Sequence, residues 1–115
     1  MNGRRYCMAL DLKDDPALIE EYKQYHAPGN AWPEITDSIK SAGIVDMQIY
    51  LIRNRLFMII DVDESFSSEA KSQSDVDNPV VQKWEQLMWK FQDSLPWARS
   101  GEKWLPMELI YQLPD

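Results

Sequence analysis

The sequence lacks most of the residues on which metal and cofactor motifs are built. Its one cysteine, Cys7, excludes an intramolecular disulfide and a zinc site made from a pair of thiols. It contains no glycine-rich phosphate loop, HExxH pair or Cys/His cluster, which argues against nucleotide, pyridine-cofactor and structural-metal sites. The only histidine is His26. Any chemistry must therefore depend on ordinary side chains.

The sequence also lacks a long apolar run and an excess of basic residues. The longest apolar run, at 56–60, is far shorter than the ~20 residues of a membrane helix, and the polar start MNGRRY does not resemble a signal peptide. The formal net charge of -7 opposes binding to a phosphate backbone. We therefore expect a cytoplasmic protein that has neither a membrane nor nucleic acid as its partner.

Aromatic residues, in contrast, are abundant for a chain of 115 residues. Five Trp, five Tyr and three Phe are more than the filling of one small core requires, so part of this surface is expected to line a pocket or a subunit contact. The length is typical of a single domain, and we expect one domain over 1–115.

Four segments alternate between apolar and polar residues, as half-buried strands do. They are 5–12, 45–52, 55–62 and 107–113. The second and third are separated only by Arg53-Asn54, which predicts a tight antiparallel hairpin.

Helix starts are indicated where a capping residue precedes proline, at Asp15-Pro16 and Asn78-Pro79. The predicted helices are 16–26, 33–42 and 79–93, and Gly43 is expected to end the second one in a left-handed conformation. The polar stretch 64–77 has few apolar anchors, which predicts a surface connection with at most a short helix.

The order β-α-β-β-α-β is typical of an α+β, ferredoxin-like antiparallel sheet whose helices cover one face. The strands nevertheless carry apolar residues on both sides, for example Leu56 and Met58 against Phe57 and Ile59. An apolar face without helices needs another cover, so we expect a homodimer in which two sheets pack together.

His26 lies four residues after Tyr22, so both side chains project from one face of the first helix and can share a site. A histidine at a helix C-terminus also has a purely structural explanation, since its charged form interacts favourably with the helix dipole. The fold could bring four further residues near this helix end: Tyr50, Trp84, Glu85 and Glu108. Trp84 also fits a core stripe and Glu85 a solvated surface.

The run Glu21-Tyr22-Lys23-Gln24-Tyr25-His26, followed by Trp32-Pro33-Glu34, resembles the E-Y-x-x-x-H…W-P-E signature of the L-rhamnose mutarotases. The likeness continues in order through Ile49-Tyr50-Leu51, Gln82-Lys83-Trp84 and Glu108-Leu109-Ile110-Tyr111, and so covers nearly the whole chain. The resemblance implies a ferredoxin-like fold that forms a dimeric α/β barrel. It also implies cofactor-free interconversion of the α and β anomers of a 6-deoxy-L-sugar.

The resemblance also assigns roles to individual residues. It places the acid/base histidine at His26, sugar-binding tyrosines at Tyr22 and Tyr50, and an aromatic sugar contact at Trp84, while Glu85 stands where members of the family have a second Trp. Ring opening needs one group that removes the proton of the anomeric hydroxyl and one that donates to the ring oxygen. With His26 as one group, Tyr22 or Glu108 could complete the pair.

The loop at 27–31 is longer than in many members of the family and is similar to that of the branch associated with L-fucose. L-fucose and L-rhamnose are therefore the two expected substrates. Asn30 and Trp32 follow His26 closely, and both are candidate sugar contacts.

Two other functions are compatible with the same pattern. A monooxygenase of the dimeric α/β-barrel type shares the architecture without the signature around His26, and fold alone does not exclude it. A sugar-binding module would hold the same ligand without accelerating anomer exchange.

Overall fold

The structure, a computed structural model, describes residues 4–115. This range contains five strands and four helices. The strands are β1 (Arg4–Leu12), β2 (Ile44–Ile52), β3 (Arg55–Val62), β4 (Gln92–Asp93) and β5 (Leu105–Pro106). The helices are α1 (Pro16–Tyr25), α2 (Pro33–Ser41), α3 (Ser68–Asp77) and α4 (Pro79–Trp89). The predicted α+β class is confirmed.

Short polar side chains start the helices where the sequence predicted them. Asp15 Oδ1 accepts hydrogen bonds from the amides of Ala17 and Leu18 at 2.9 and 3.2 Å, and Asn78 caps α4 in the same way. After α2, Gly43 adopts φ +92°, and a Cβ there would lie 2.6 Å from side-chain atoms of Asp63 and Ser65. The predicted glycine stop is confirmed, and the positive φ together with the close approach disfavours a larger residue.

All strands of the sheet are antiparallel, in the order β2-β3-β1-β4, with β5 also paired to β1. The β2–β3 hairpin turns at Arg53-Asn54 as predicted, with Arg53 at φ +52°. The register opposes Met8 to Met58 and Leu10 to Leu56 across β1 and β3, so these side chains share one face.

The helices cover that face and form the core on it. Leu12 and Leu56 from the sheet pack with Tyr22 of α1, Trp84 of α4 and Phe91, all of them buried. Burial of this apolar surface is the main stabilising contribution, at about 25 cal/mol per Å².

The opposite face is bounded by two cross-strand ion pairs. Arg5 Nε lies 2.7 Å from Asp61 Oδ1, and Arg55 Nε lies 2.7 Å from Asp11 Oδ1. Between the pairs lie four half-buried residues: Cys7, Ala9, Phe57 and Ile59. Within residues 4–115, none of these four side chains belongs to either of the two core clusters that the helices pack on. We call this surface, residues 5–11 and 55–61 on the side away from the helices, the open face.

Three predicted elements need correction. The helix over 79–93 ends at Trp89, and Gln92–Asp93 instead pair with Leu12 and Asp11 as β4. The predicted strand over 107–113 is wrong: after the Met107 amide donates to the Cys7 carbonyl at 2.8 Å, residues 108–115 form neither helix nor strand. The alternating apolar side chains of this segment stay exposed: Leu109 is 74% and Ile110 87% exposed.

The polar stretch at 64–77 contains a full ten-residue helix rather than a short one. Ser67 caps α3 by accepting from the Ala70 amide at 3.2 Å, and Lys71 binds Asp75 one turn later at 2.5 Å. Capping and side-chain pairing stabilise α3, which has no buried residues. A search for an apolar stripe in the sequence therefore does not reveal this helix.

Candidate functional site

A cavity of about 450 Å³ lies between the four helices and the helix-covered face of the sheet. Its volume falls in the range of small-molecule sites. Apolar side chains make up most of its wall, and the polar groups that line it include Tyr22, His26, Glu85, Gln92 and Lys103. An apolar wall with a few converging polar groups is what holds and orients a small polar ligand.

His26 lies at the C-cap of α1, where the helix end fixes its orientation. Its Nδ1 lies 2.8 Å from the Tyr22 carbonyl oxygen, and because a carbonyl only accepts, Nδ1 carries the proton in the neutral ring. Nε2 is then the unprotonated nitrogen and can accept a proton. Partial burial lowers the pKa of His26, while the bond to the Tyr22 carbonyl opposes this shift.

Tyr22 lies directly beside the imidazole. The two ring centres are 4.3 Å apart, and the Tyr22 side chain is buried. Burial raises the pKa of Tyr22 to about 12, with a smaller rise from the negative charge of Glu85 and an opposing effect of the Gln92 hydrogen bond. The phenol is therefore protonated at neutral pH and can donate a proton next to a basic nitrogen.

Trp84 forms the aromatic wall of the site. It is buried in α4, with its ring 5.7 Å from His26 and 5.1 Å from Trp32. Trp32 packs behind Trp84 and does not itself line the cavity. An aromatic face beside polar groups suits a pyranose, which has both apolar C–H surfaces and hydroxyls.

Glu85 lines the cavity and forms an ion pair with Lys103, with 2.5 Å between Oε2 and Nζ. The Lys103 ammonium also lies 4.7 Å above the centre of the Trp89 ring. Lys103, Trp104 and Gln92 also line the cavity, although the sequence analysis predicts no role for them. Lys103 and Trp104 lie in an irregular connection, and Gln92 was assigned to the end of a helix.

Three of the predicted site residues lie elsewhere. Tyr50 is 55% exposed and, by strand alternation, faces away from the helices, where its hydroxyl donates to Gln48 at 3.2 Å. Asn30 is exposed and donates to the Gln24 carbonyl at 2.8 Å, which fastens the loop after His26. Glu108 is exposed beyond β5. In a single chain these three side chains do not line the cavity, and their roles as sugar contacts stay predictions.

Within residues 4–115, no group of three or more His, Cys, Asp and Glu side chains is arranged to hold a metal ion. In the same range no helix is both long and apolar enough to cross a membrane. The chemistry that the described cavity offers is proton transfer, since an acceptor at His26 and a donor at Tyr22 adjoin one aromatic wall.

The sequence and the fold both match known proteins. The sequence model of a family described as L-rhamnose mutarotase matches residues 5–113. A Xanthomonas campestris pv. campestris protein named L-fucose mutarotase is 41% identical over 115 residues, which covers 100% of this chain and 92% of that protein. A Shigella flexneri protein named L-rhamnose mutarotase is 29% identical over 110 residues, with 92% and 96% covered.

A crystal structure of an L-rhamnose mutarotase from Formosa agariphila has the same fold. The TM-score is 0.68 at 21% identity, over 96% of this chain and 99% of that one. The ferredoxin-like βαββαβ arrangement of the dimeric α/β-barrel fold is therefore confirmed, although two short strands, β4 and β5, follow α4 in place of the strand predicted over 107–113.

Proposed function

This chain belongs to the L-rhamnose mutarotase family, and from that premise we propose that it interconverts the α and β anomers of a 6-deoxy-L-sugar. The observation that carries the proposal is the pair formed by His26 and Tyr22. An unprotonated imidazole nitrogen and a protonated phenol adjoin one cavity, with ring centres 4.3 Å apart.

In the proposed reaction, His26 Nε2 takes the proton of the anomeric hydroxyl while the Tyr22 hydroxyl gives its proton to the ring oxygen. The bond between C1 and the ring oxygen breaks, which leaves an open-chain aldehyde, an imidazolium and a phenolate. After rotation about C1–C2, the former ring oxygen attacks the other face of C1. Its proton returns to Tyr22, and His26 returns its proton to the aldehyde oxygen, so both side chains end as they began.

The reaction is proposed to need no cofactor. Ring opening and closure transfer protons without net oxidation or reduction, and the two side chains supply both the acceptor and the donor. Trp84 is proposed to stack on the sugar, and Glu85 to bind one of its hydroxyls.

L-fucose is the first candidate substrate and L-rhamnose the second. The 41% identity to a protein named L-fucose mutarotase over the full chain supports this order, as does the long loop after His26. The two sugars differ in the orientation of their ring hydroxyls, so the polar groups of the cavity must select between them.

The test is anomer exchange followed by saturation-transfer NMR over L-fucose, L-rhamnose and D-glucose, each compared with buffer. We expect acceleration for the 6-deoxy-L-sugars and more for L-fucose than for L-rhamnose. Binding of a sugar with exchange no faster than in buffer would reject the enzyme and leave a sugar-binding module.

We also propose that the protein is a homodimer formed through the open face. This surface has a half-buried apolar centre, Phe57 and Ile59 with Cys7 and Ala9, between two ion pairs. The neighbouring chain end adds exposed apolar side chains, with Leu109 at 74% and Leu113 at 76% exposed. A second copy would cover both, since a two-fold interface places the same patch of each chain against the other.

Light scattering tests this proposal. The parent is expected at twice the chain mass of 13.5 kDa, and Phe57→Asp at the mass of one chain. Val76→Asp is the matched control, because Val76 is 67% exposed on α3 and lies outside the open face. A parent that stays monomeric at high concentration would reject the dimer.

A cytosolic location is proposed as well. The single cysteine is only half-buried, and a reducing compartment would keep it from forming intermolecular disulfides. Fractionation of the source cells with an antibody to the chain tests this, and recovery from an oxidising compartment would contradict it.

A further inference from the structure

Gln92 is a buried polar residue whose hydrogen bonding is incomplete. The residue is 4% exposed, and its Nε2 donates to the Tyr22 hydroxyl at 3.3 Å. Its Oε1 is the one buried side-chain polar atom in residues 4–115 that no protein group hydrogen-bonds. A buried acceptor without a protein partner is destabilising, so it calls for a partner from outside the chain, either a ligand or water.

The sheet fixes where this amide lies. Gln92 pairs with Leu12 in β4, and its neighbour Phe91 is fully buried, so the backbone that carries the amide is held on both sides. The Gln92 side chain lines the same cavity as His26, Tyr22 and Trp84. The incomplete group therefore borders the space proposed to hold the sugar.

Either assignment of oxygen and nitrogen in the Gln92 amide leaves one end without a protein partner. If the two ends were exchanged, the Tyr22 hydroxyl would donate to the oxygen and the NH₂ group would lack a partner. A sugar hydroxyl both donates and accepts, so it can satisfy either end.

We propose that Gln92 binds one hydroxyl of the sugar through the free end of its amide while the other end holds Tyr22. The proposal rests on the mutarotase function and adds a specificity-determining contact to it. The planar amide of Gln92 connects the Tyr22 hydroxyl and the bound sugar hydroxyl at a fixed separation. The ring oxygen of the sugar therefore lies next to Tyr22 only when that sugar hydroxyl has the right orientation. Discrimination between 6-deoxy-L-sugars would then depend on a residue outside the motif around His26.

A simpler role is that Gln92 orients Tyr22 and nothing more, with water at its free end. The two roles differ in how they respond to the substrate. Loss of an orienting residue slows every sugar by the same factor, whereas loss of a contact removes the preference for one particular hydroxyl.

The experiment measures anomer exchange for L-fucose and its 2-, 3- and 4-deoxy analogues with the parent and Gln92→Leu. We expect kcat/KM for L-fucose to fall by about tenfold in Gln92→Leu, as for one lost hydrogen bond. For one of the three analogues, kcat/KM of the parent and of Gln92→Leu should differ much less, because that analogue already lacks the hydroxyl that Gln92 binds. Gln86→Leu, the same change at an exposed position of α4, should match the parent.

Folding is followed by thermal unfolding, and Gln92→Met repeats the measurement with an unbranched side chain in case leucine packs poorly. An equal loss for all four sugars in these variants, or rates equal to the parent, would overturn the Gln92 contact. A parent that accelerates exchange of none of the sugars would instead reject the mutarotase function, so the two failures are distinguishable.

Discussion

The two faces of the sheet consist of the same strands but differ in what they can do. The helix-covered face adjoins a cavity whose polar groups meet an aromatic wall at Trp84. The open face has its charges in cross-strand pairs at the ends, such as Arg5 with Asp61, and apolar residues between them. Proton-transfer groups beside a cavity suit chemistry, whereas an apolar centre between ion pairs suits association.

Alternation along a strand produces this difference. Ile49 lines the cavity while the next residue, Tyr50, is exposed on the other side of β2. The face of a residue, rather than its closeness in sequence to a motif, therefore decides whether it belongs to the site.

The largest effect on anomer exchange is expected when the proposed base, His26, is replaced. His26→Gln retains a polar side chain but cannot take up a proton at neutral pH, so the acceleration of anomer exchange should fall by about 10²–10⁴-fold. Lys23→Gln, at an exposed position of α1, is the control. A folded His26→Gln protein with the parent rate would remove the imidazole from the mechanism.

Tyr22→Phe removes only the proposed proton donor and keeps the ring that packs on His26. We expect the exchange rate to fall by about 10²-fold or more, as for loss of one acid/base group. Tyr25→Phe is a matched control, because Tyr25 lies on the same helix and packs on the core without lining the cavity. Equal rates for both variants would assign ring opening to another donor.

The pH profile follows from the burial of the same two groups. Burial lowers the pKa of His26, so the neutral base persists below the ordinary value near 6.5, and kcat/KM should fall only as pH drops through the lowered pKa, by about tenfold per unit. Because Tyr22 has its pKa raised to about 12, its donor should stay protonated throughout the neutral range. An acid limb centred at or above 6.5 would contradict the lowered pKa of His26.

Local signals explain what the sequence predicted correctly. Asp15 and Asn78 cap the following turns through their own side chains, and Tyr22 and His26 meet because four residues make about one helical turn. The stripe that buries Trp84 is equally local. Such features depend on a few neighbouring residues, so one sequence is enough to reveal them.

The remaining features depend on what lies beside a segment in space. The alternation at 107–113 predicted a strand, but a strand needs an edge to pair with, and beyond Met107 the chain leaves β1. Gln92 and Lys103 reach the cavity only through the packing of β4 and the connection before β5. Tyr50 was expected at the site because sequence similarity does not show which face of a strand is covered.

The smallest effect is expected at Tyr50→Phe, on β2 beside the open face. The Tyr50 hydroxyl donates to nearby Gln48 and lies on the far side of the sheet from His26. Its removal should therefore leave kcat/KM within about twofold of the parent and stability within about 0.5 kcal/mol. Anomer exchange and thermal unfolding measured beside Tyr22→Phe give the contrast directly, since both variants lose one phenolic oxygen. A loss at Tyr50→Phe as large as at Tyr22→Phe would mean that the sugar site includes the far side of the sheet. A single chain does not bring that side next to His26. The same assay in the Phe57→Asp background would then show whether a second copy supplies that surface, because the loss should disappear when the copies separate.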